Sequence, residues 1–200
     1  VSGEANDYGV FTNLGGQFFF LSGYQVGVNT TSTIWASDGT AEGTRIVVDD
    51  PANLKSRQHL TSMGGHIYFE RLNYQSLWKT DGTAVGTVEL WRHPDTYYGT
   101  AYETLEPLVA AGSRIYFSTD TRAAGKELWA SDGTGAGTSL VKDFWPQLHS
   151  PLGRGITSVD GVAYFTVSSG SFSGPRRYTW TSDGTPEGTR VLGPTVSTRF

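Results

Sequence analysis

Four times the chain repeats a segment whose clearest copy is Glu127-Leu128-Trp129-Ala130-Ser131-Asp132-Gly133-Thr134. The other copies align with it without gaps and end in the same Asp-Gly-Thr triplet: Thr33–Thr40, Ser76–Thr83 and Tyr178–Thr185. The spacings between the four Asp residues are 43, 51 and 51. In every copy a second Gly follows the Asp by five positions and is itself followed by Thr. A repeat of about 50 residues therefore organises the chain.

A second element precedes each Trp-containing segment. Short aromatic or β-branched runs end in Phe, and each follows a Gly-containing turn; the runs are Gln17–Phe20, His66–Phe69, Arg114–Phe117 and Val162–Phe165. A short apolar stretch lies before each turn. One unit therefore reads as strand a, tight turn, strand b, variable loop, Trp-bearing strand c, Asp-Gly-Thr turn and strand d.

This order of strands predicts the fold class. Four antiparallel strands in about 50 residues are typical of one blade of a β-propeller, and such a small sheet buries its two apolar faces only by stacking on other blades. We expect an all-β chain, residues 1–200, that forms one β-propeller domain of four four-stranded antiparallel blades. The repeat units run approximately over 8–50, 59–92, 106–144 and 155–193. A closed four-bladed disc and half of a larger ring both remain open.

The repeated tryptophans have a structural and a functional interpretation. One Trp occupies the same position on strand c of every unit: Trp35, Trp78, Trp129 and Trp180. In the structural interpretation they pack between neighbouring blades, which need a large aromatic residue in register. In the functional one they form a ring of aromatics that stack on a ligand. We expect the packing role.

Composition excludes several classes of protein. Glycine (26 residues) and aromatic residues (13%) are abundant and charged residues are few (17%), which favours β structure with many tight turns. A net charge of −4 argues against nucleic-acid binding. Without Cys the chain has no disulfide, thiolate zinc site or cysteine nucleophile. No apolar run reaches the ~20 residues of a membrane helix, so no membrane insertion is expected. The start at Val1-Ser2-Gly3 suggests excision from a longer protein.

The Asp-Gly-Thr turns are expected to be structural. Their Asp residues would accept hydrogen bonds from the amides one and two residues further on, while Gly supplies a positive φ; these residues are Asp38, Asp81, Asp132 and Asp183. Calcium is the alternative, but each turn has one Asp and at most an adjacent Glu, such as Glu42 or Glu187. The sequence therefore implies no metal ion and no cofactor.

The third unit carries a family resemblance. From Glu127 to Phe144 it resembles the bacterial ELWxxDGT tandem repeat, and the other three units keep the Trp, Asp-Gly-Thr and Gly-Thr but replace the Glu-Leu pair. The resemblance implies a propeller-like repeat protein that is secreted or at the bacterial cell surface. The family offers no defined activity and no catalytic residues. The turn is also similar in outline to the structural Asp-box hairpins of sialidase-type propellers.

Function is expected in the segments that do not repeat. In a propeller the b–c and d–a loops share one end of the blades, and loops that vary on a rigid scaffold usually carry binding residues. The repeat pattern predicts b–c loops at about 22–32, 71–75, 119–126 and 168–177, and d–a loops at about 49–58, 92–106 and 142–155. The candidate ligand-binding residues are Tyr24, Tyr74, Trp91, Arg92, His93, Tyr97, Tyr98, Tyr102, Trp145 and Arg176. The segments Arg92–Tyr98 and Phe144–Pro146 are the strongest candidates.

These residues predict a non-catalytic extracellular binding or adhesion module with one composite site for carbohydrate or protein. The partner would be a glycan or a cell-surface protein. The alternative is a structural repeat domain that mediates assembly with other proteins or as a homo-oligomer. A glycosidase-like propeller enzyme is the lesser alternative, because the loop acids Glu103, Glu106, Asp120 and Asp143 have no diagnostic spacing and the four His are scattered singly.

Overall fold

The structure is a computed structural model, and it describes residues 11–26, 29–49, 60–71, 76–92, 108–121, 125–144, 152–169 and 176–194. These residues form sixteen β-strands in four separate four-stranded antiparallel sheets, which we call blades 1 to 4. The chain divides into two compact units, residues 1–92 and 93–200, and each unit contains two blades. In the described part of the chain no helix has the length and apolarity that a membrane span requires.

Unit 1 contains the first eight strands. Blade 1 consists of β1 (Phe11–Leu14), β2 (Gln17–Val26), β3 (Asn29–Ser37) and β4 (Arg45–Asp49). Blade 2 consists of β5 (Thr61–Met63), β6 (His66–Arg71), β7 (Ser76–Thr80) and β8 (Val88–Arg92). In both blades the spatial order of the strands follows the chain, as the sequence predicted for strands a to d.

Unit 2 contains the other eight. Blade 3 consists of β9 (Val109–Ala111), β10 (Arg114–Thr121), β11 (Gly125–Ser131) and β12 (Thr138–Lys142). Blade 4 consists of β13 (Leu152–Val159), β14 (Val162–Ser169), β15 (Arg176–Ser182) and β16 (Arg190–Pro194). The strand order again follows the chain.

Every blade has a register shift at its tryptophan. Between strands c and d the pairing shifts immediately before Trp35, Trp78, Trp129 and Trp180. One extra residue of strand d occupies the shift in each blade, which is the arrangement of a β-bulge. The bulge increases the local twist, so the four copies share a backbone irregularity as well as a sequence motif.

Each unit has one apolar core that joins its two blades. In unit 1 the buried side chains include Phe19, Ile34 and Ala36 of blade 1 with Ile67 and Phe69 of blade 2, and Trp78 packs against them. Unit 2 has the corresponding cluster, with Trp180 packed against it; its buried residues are Ala111, Tyr116, Leu128, Ala130, Val141, Ile156, Ala163, Phe165 and Val167. The packing role is confirmed for Trp78 and Trp180. Trp35 is half-buried and stacks on Phe20 within its own blade, with the ring centroids 6.4 Å apart.

Several predicted loops are too long. Strands β2 and β3 extend to Val26 and from Asn29, so Tyr24 lies on a strand paired with Thr31. In the same way Arg176 lies on β15, paired with Ser169, and β10 and β11 continue into the predicted loop at 119–126. The prediction was wrong because these hairpins continue as two-stranded ribbons beyond the apolar part of the strand, where Thr and Ser replace the core residues. The side chains of Tyr24 and Arg176 lie outside the described ones.

Candidate functional site

The Asp-Gly-Thr turn of blade 1 is held by its own side chains. Asp38 Oδ1 accepts hydrogen bonds from the Thr40 amide at 2.9 Å and from the Thr40 hydroxyl at 2.7 Å. That hydroxyl in turn accepts from the Gly43 amide at 2.9 Å. The Gly39 amide donates to Ser37 Oγ at 3.1 Å, so the expected bond from the amide one residue after Asp is wrong. One carboxylate oxygen of the Asp is therefore hydrogen-bonded within the turn itself.

The same bonds recur in the other three blades. The Thr amide lies 2.8, 2.9 and 2.9 Å from Asp81, Asp132 and Asp183 Oδ1, and each Thr hydroxyl lies 2.7 Å from the same atom. These hydrogen bonds, first from the Thr hydroxyl and then from the Thr amide, lower the pKa of all four Asp carboxyls. A Cβ on the second Gly of any turn would overlap the Asp carboxylate. This end of the blades is thus uniform in sequence and in bonding.

The opposite end of the blades, where the b–c and d–a loops begin, differs in every blade. The second residue before each Trp faces a residue of strand d just beyond the bulge. In three blades these pairs are Thr33 with Asp49, Ser76 with Arg92, and Tyr178 with Pro194. In blade 3 the corresponding residues are Glu127 and Asp143, one step beyond the Leu128–Lys142 pair. We call this the variable end.

In blade 2 the variable end combines aromatic rings with charged groups. The Arg71 guanidinium lies over the Trp78 ring, 3.9 Å from its centroid, and the Trp78 indole N–H donates to Ser76 Oγ at 3.0 Å. Half-buried Trp91 and exposed Arg92 end β8. Arg92 binds the Glu89 carboxylate through both Nε (3.0 Å) and Nη2 (2.6 Å). The register places Arg92 and Glu89 on the face of blade 2 that carries Trp78, and Trp91 on the opposite face with Leu77.

In blade 3 the variable end contains a buried carboxyl group. Glu127 is fully buried opposite Thr119, and its Oε2 accepts a 3.4 Å hydrogen bond from the Phe144 amide. Its Oε1 has no hydrogen-bond partner among the described residues. Burial raises the pKa of Glu127 to about 8, against the effect of the Phe144 amide, and the neighbouring Asp143 carboxylate raises it as well. Asp143 Oδ1 is also buried, and no described residue makes a hydrogen bond to it. The two acids together favour a proton on Glu127 at neutral pH.

The aromatic residue that follows Asp143 belongs to the core. The Phe144 ring makes edge contacts with Phe165 and Trp180, at centroid distances of 5.6 and 5.1 Å. The Phe144 ring, at the start of the candidate segment Phe144–Pro146, therefore helps to join blades 3 and 4, while Trp145 and Pro146 lie outside the described residues. Sequence reasoning named Glu127 only as part of the repeat. Its departure from the Thr, Ser and Tyr of the other units was the signal that could have identified it.

The candidate ligand-binding residues are described only in part. Trp91 and Arg92 are consecutive residues at the variable end of blade 2, with side chains on opposite faces of the sheet. The backbones of Tyr24 and Arg176 lie on β2 and β15. The other candidates lie outside the described residues: Tyr74, His93, Tyr97, Tyr98, Tyr102 and Trp145. Within the described ranges no three His, Cys, Asp or Glu side chains group in a way that could hold a metal ion.

Comparison with known proteins identifies the fold. No protein-family model and no curated protein matches the chain. Among solved structures it is similar to TolB from Acinetobacter baumannii, with 14% identity and a TM-score of 0.56 over 94% of this chain. A puromycin hydrolase S511A mutant is also similar, with 15% identity and a TM-score of 0.52 over 92% of this chain. So is a nidogen/laminin complex, with 15% identity and a TM-score of 0.50 over 83% of this chain.

This chain spans 43% of the TolB chain, 28% of the hydrolase chain and 60% of the nidogen/laminin chain. At such identities the likeness shows the fold alone. The neighbours are propeller proteins, and four blades of the expected strand order are present. The chain is therefore an all-β propeller protein built from four four-stranded antiparallel blades.

Proposed function

We propose that this protein is a non-catalytic binding module whose ligand site lies at the variable end of the blades. The observation that carries the proposal is the contrast between the two ends. The Asp-Gly-Thr turns keep one bonding pattern in all four blades, whereas matched positions at the other end hold four different pairs. A scaffold that keeps one end constant and varies the other supports ligand recognition at the varied end.

The side chains at the variable end of blade 2 favour a carbohydrate ligand. The exposed Arg92–Glu89 pair donates and accepts hydrogen bonds at this end, and the half-buried indole of Trp91, on the opposite face of the blade, adds an apolar surface of the kind that packs against sugar rings. Arg71 over Trp78 adds a second guanidinium near the same end. The resemblance to ELWxxDGT repeats supports a secreted or cell-surface setting, in which a glycan is an available partner.

The burial of Glu127 supports a role other than catalysis. A strongly raised pKa is typical of catalytic acids, so the pair of Glu127 and Asp143 is the most enzyme-like feature of the described residues. A general acid must come within hydrogen-bond distance of its substrate. Glu127 is fully buried on a strand inside the blade, and we assign it to the interior of the protein.

Binding to an array of bacterial and host glycans tests the proposal. We expect the wild-type protein to bind, and both the combined change Glu89→Ala and Arg92→Ala and the combined loop change Tyr97→Ala, Tyr98→Ala and Trp145→Ala to abolish that binding while the circular-dichroism spectrum and melting temperature are retained. The combined change Glu42→Ala and Glu187→Ala, at exposed positions in the constant turns, is the matched control and should bind normally. Binding that survives both sets of substitutions would exclude this site, and capture of a protein ligand alone would exclude the carbohydrate.

A further inference from the structure

Blade 1 has an exposed apolar face. Register pairing joins Phe11 to Phe20, Phe20 to Trp35 and Trp35 to Ile46, so these four side chains form a row on one face of the blade. Phe18 lies on the same face, two residues before Phe20. Phe11 is 64% exposed and Phe18 is 51% exposed. We call the face of each blade that carries this Phe–Trp row its leading face, and the other its trailing face.

The leading faces of blades 2 and 4 are covered. The positions that correspond to Phe11 and Phe18 are Leu60 and Ile67 in blade 2, with exposures of 7% and 0%. In blade 4 they are Ile156 and Ala163, also 7% and 0% exposed. The covering side chains come from the trailing face of the preceding blade in the same unit. They are Phe19, Ile34 and Ala36 for blade 2, and Tyr116, Leu128 and Ala130 for blade 4.

In both units the trailing face also reaches the next blade's Asp-Gly-Thr turn. The Phe19 ring approaches Gly82 so closely that a Cβ there would lie 3.1 Å from it, and Arg45 Nη2 donates to the Gly82 carbonyl at 3.3 Å. In unit 2 the Tyr116 hydroxyl donates to the Ser182 carbonyl at 3.3 Å and would lie 3.2 Å from a Cβ on Gly184. An aromatic ring placed against the turn glycine is thus part of the blade-to-blade contact.

The equivalent turn of blade 1 lacks this contact among the described residues. Gly39 corresponds to Gly82 and Gly184, and no described atom lies within 4 Å of the position that its Cβ would take. The exposure of Phe11 and Phe18 and the open space at Gly39 are separate observations on the same face. Together they indicate a docking surface for a trailing face of this same repeat.

Blade 4 supplies a trailing face of the required kind. Tyr164 precedes Phe165 as Tyr116 precedes Phe117, so it occupies the position of Tyr116 and Phe19. Arg190 pairs with Thr181 as Arg45 pairs with Ala36. Thr179 and Thr181 stand where blade 1 has Ile34 and Ala36, and they are small and uncharged. This face therefore has both the ring and the guanidinium that the contact uses.

We propose that the chain self-associates head to tail, with the trailing face of blade 4 in one copy docked on the leading face of blade 1 in a second copy. Tyr164 of the first copy lies against Gly39 of the second and covers Phe11 and Phe18. We assign the partner to a second copy because Phe11 and Phe18 are large apolar side chains exposed on a face that blades 2 and 4 bury against a neighbouring blade. Two copies together contain eight blades, which is within the range of blade numbers found in β-propellers. This surface is distinct from the ligand site proposed above.

Photo-crosslinking at the proposed contact tests the inference. With Tyr164→p-benzoylphenylalanine in the 200-residue chain, irradiation should give a covalent dimer whose crosslink maps by mass spectrometry to the segment around Gly39. A crosslink within one chain would overturn the proposal, since blade 1 would then be covered by its own copy. Absence of any crosslink to that segment would overturn it too.

Sedimentation velocity provides a second measurement. The molar mass obtained for the wild-type protein should be twice the 21.7 kDa of one chain. Phe18→Glu should raise the dimer dissociation constant by about 30-fold or more, as expected for a residue central to an interface. Val85→Glu places the same charge on a side chain that is 91% exposed in a turn of blade 2, and should leave the dimer intact. A wild-type monomer, or a dimer that Phe18→Glu does not weaken, would contradict the head-to-tail contact.

Discussion

Gly137→Ala is expected to lower the free energy of unfolding by about 3 kcal/mol, through displaced side-chain hydrogen bonds and local overpacking. A Cβ at Gly137 would overlap the Asp132 carboxylate, which must then leave the Thr134 amide and hydroxyl that it accepts from. Chemical denaturation measured by tryptophan fluorescence gives the change directly. A thermal scan should show a melting temperature lower by roughly 6–12 °C.

The neighbouring glycine of the same turn is the matched control. Gly135 stands where the other blades have Ala41, Ala84 and Pro186, so Gly135→Ala should leave stability unchanged or slightly higher. Adding Asp132→Ala to Gly137→Ala removes the carboxylate that the new methyl group meets. The double variant should therefore lose less than the sum of the two single changes. Equal losses for Gly135→Ala and Gly137→Ala, or strict additivity, would contradict the overlap.

The free energy of unfolding of the wild-type protein is expected to fall as the pH rises from about 4.5 to 8, and Glu127→Gln is expected to abolish most of that fall. Burial holds the pKa of Glu127 at about 8 in the folded state, above the ordinary value of 4.5. Below pH 4.5 both states are protonated and the folded state has its full stability. As the pH rises, the unfolded chain ionises first and stability falls; above pH 8 the folded state ionises too and the loss levels off.

Each unit of pKa difference is worth about 1.4 kcal/mol, so the loss across this window amounts to a few kcal/mol at most. Urea denaturation of both proteins at pH 5 and pH 8.5 measures it. The charged group that acts on Glu127 is the neighbouring Asp143 carboxylate, which raises its pKa further. The adjacent Lys142 ammonium lies over the Trp180 ring, 5.7 Å from its centroid. The exposed Glu42 serves as control: Glu42→Gln should keep the wild-type pH profile. An unchanged profile in Glu127→Gln would show that this carboxyl is ionised in the folded protein.

The strands were predictable because their signals are local. Tight glycine turns, the Phe-ended run of strand b and the Trp of strand c fix which residues pair, and the observed pairs Phe69–Trp78 and Phe165–Trp180 follow from them. The ends of the strands were not predictable in the same way. Residues such as Tyr24 lie on ribbons that continue past the apolar core, where no change in residue type marks the end of pairing.

The candidate site was predictable only in its location. Divergence between the repeats indicated the variable end, and the turns at the other end proved to be internally bonded. The burial of Glu127 was not predictable, because it depends on how Thr119, Asp143 and Phe144 enclose it in space. The role of Phe144 likewise depends on a neighbouring blade, since its ring contacts Phe165 and Trp180 rather than a residue nearby in sequence.

The proposed function requires that ligand binds at the variable end of the blades and leaves the constant turns untouched. Hydrogen–deuterium exchange with and without the glycan that binds most strongly on the array tests it most directly. Slower exchange is predicted in peptides covering residues 71–76, 92–108 and 142–152, with no change in residues 37–44, 80–87, 131–138 and 182–189. Protection confined to the four Asp-Gly-Thr turns would contradict the claim.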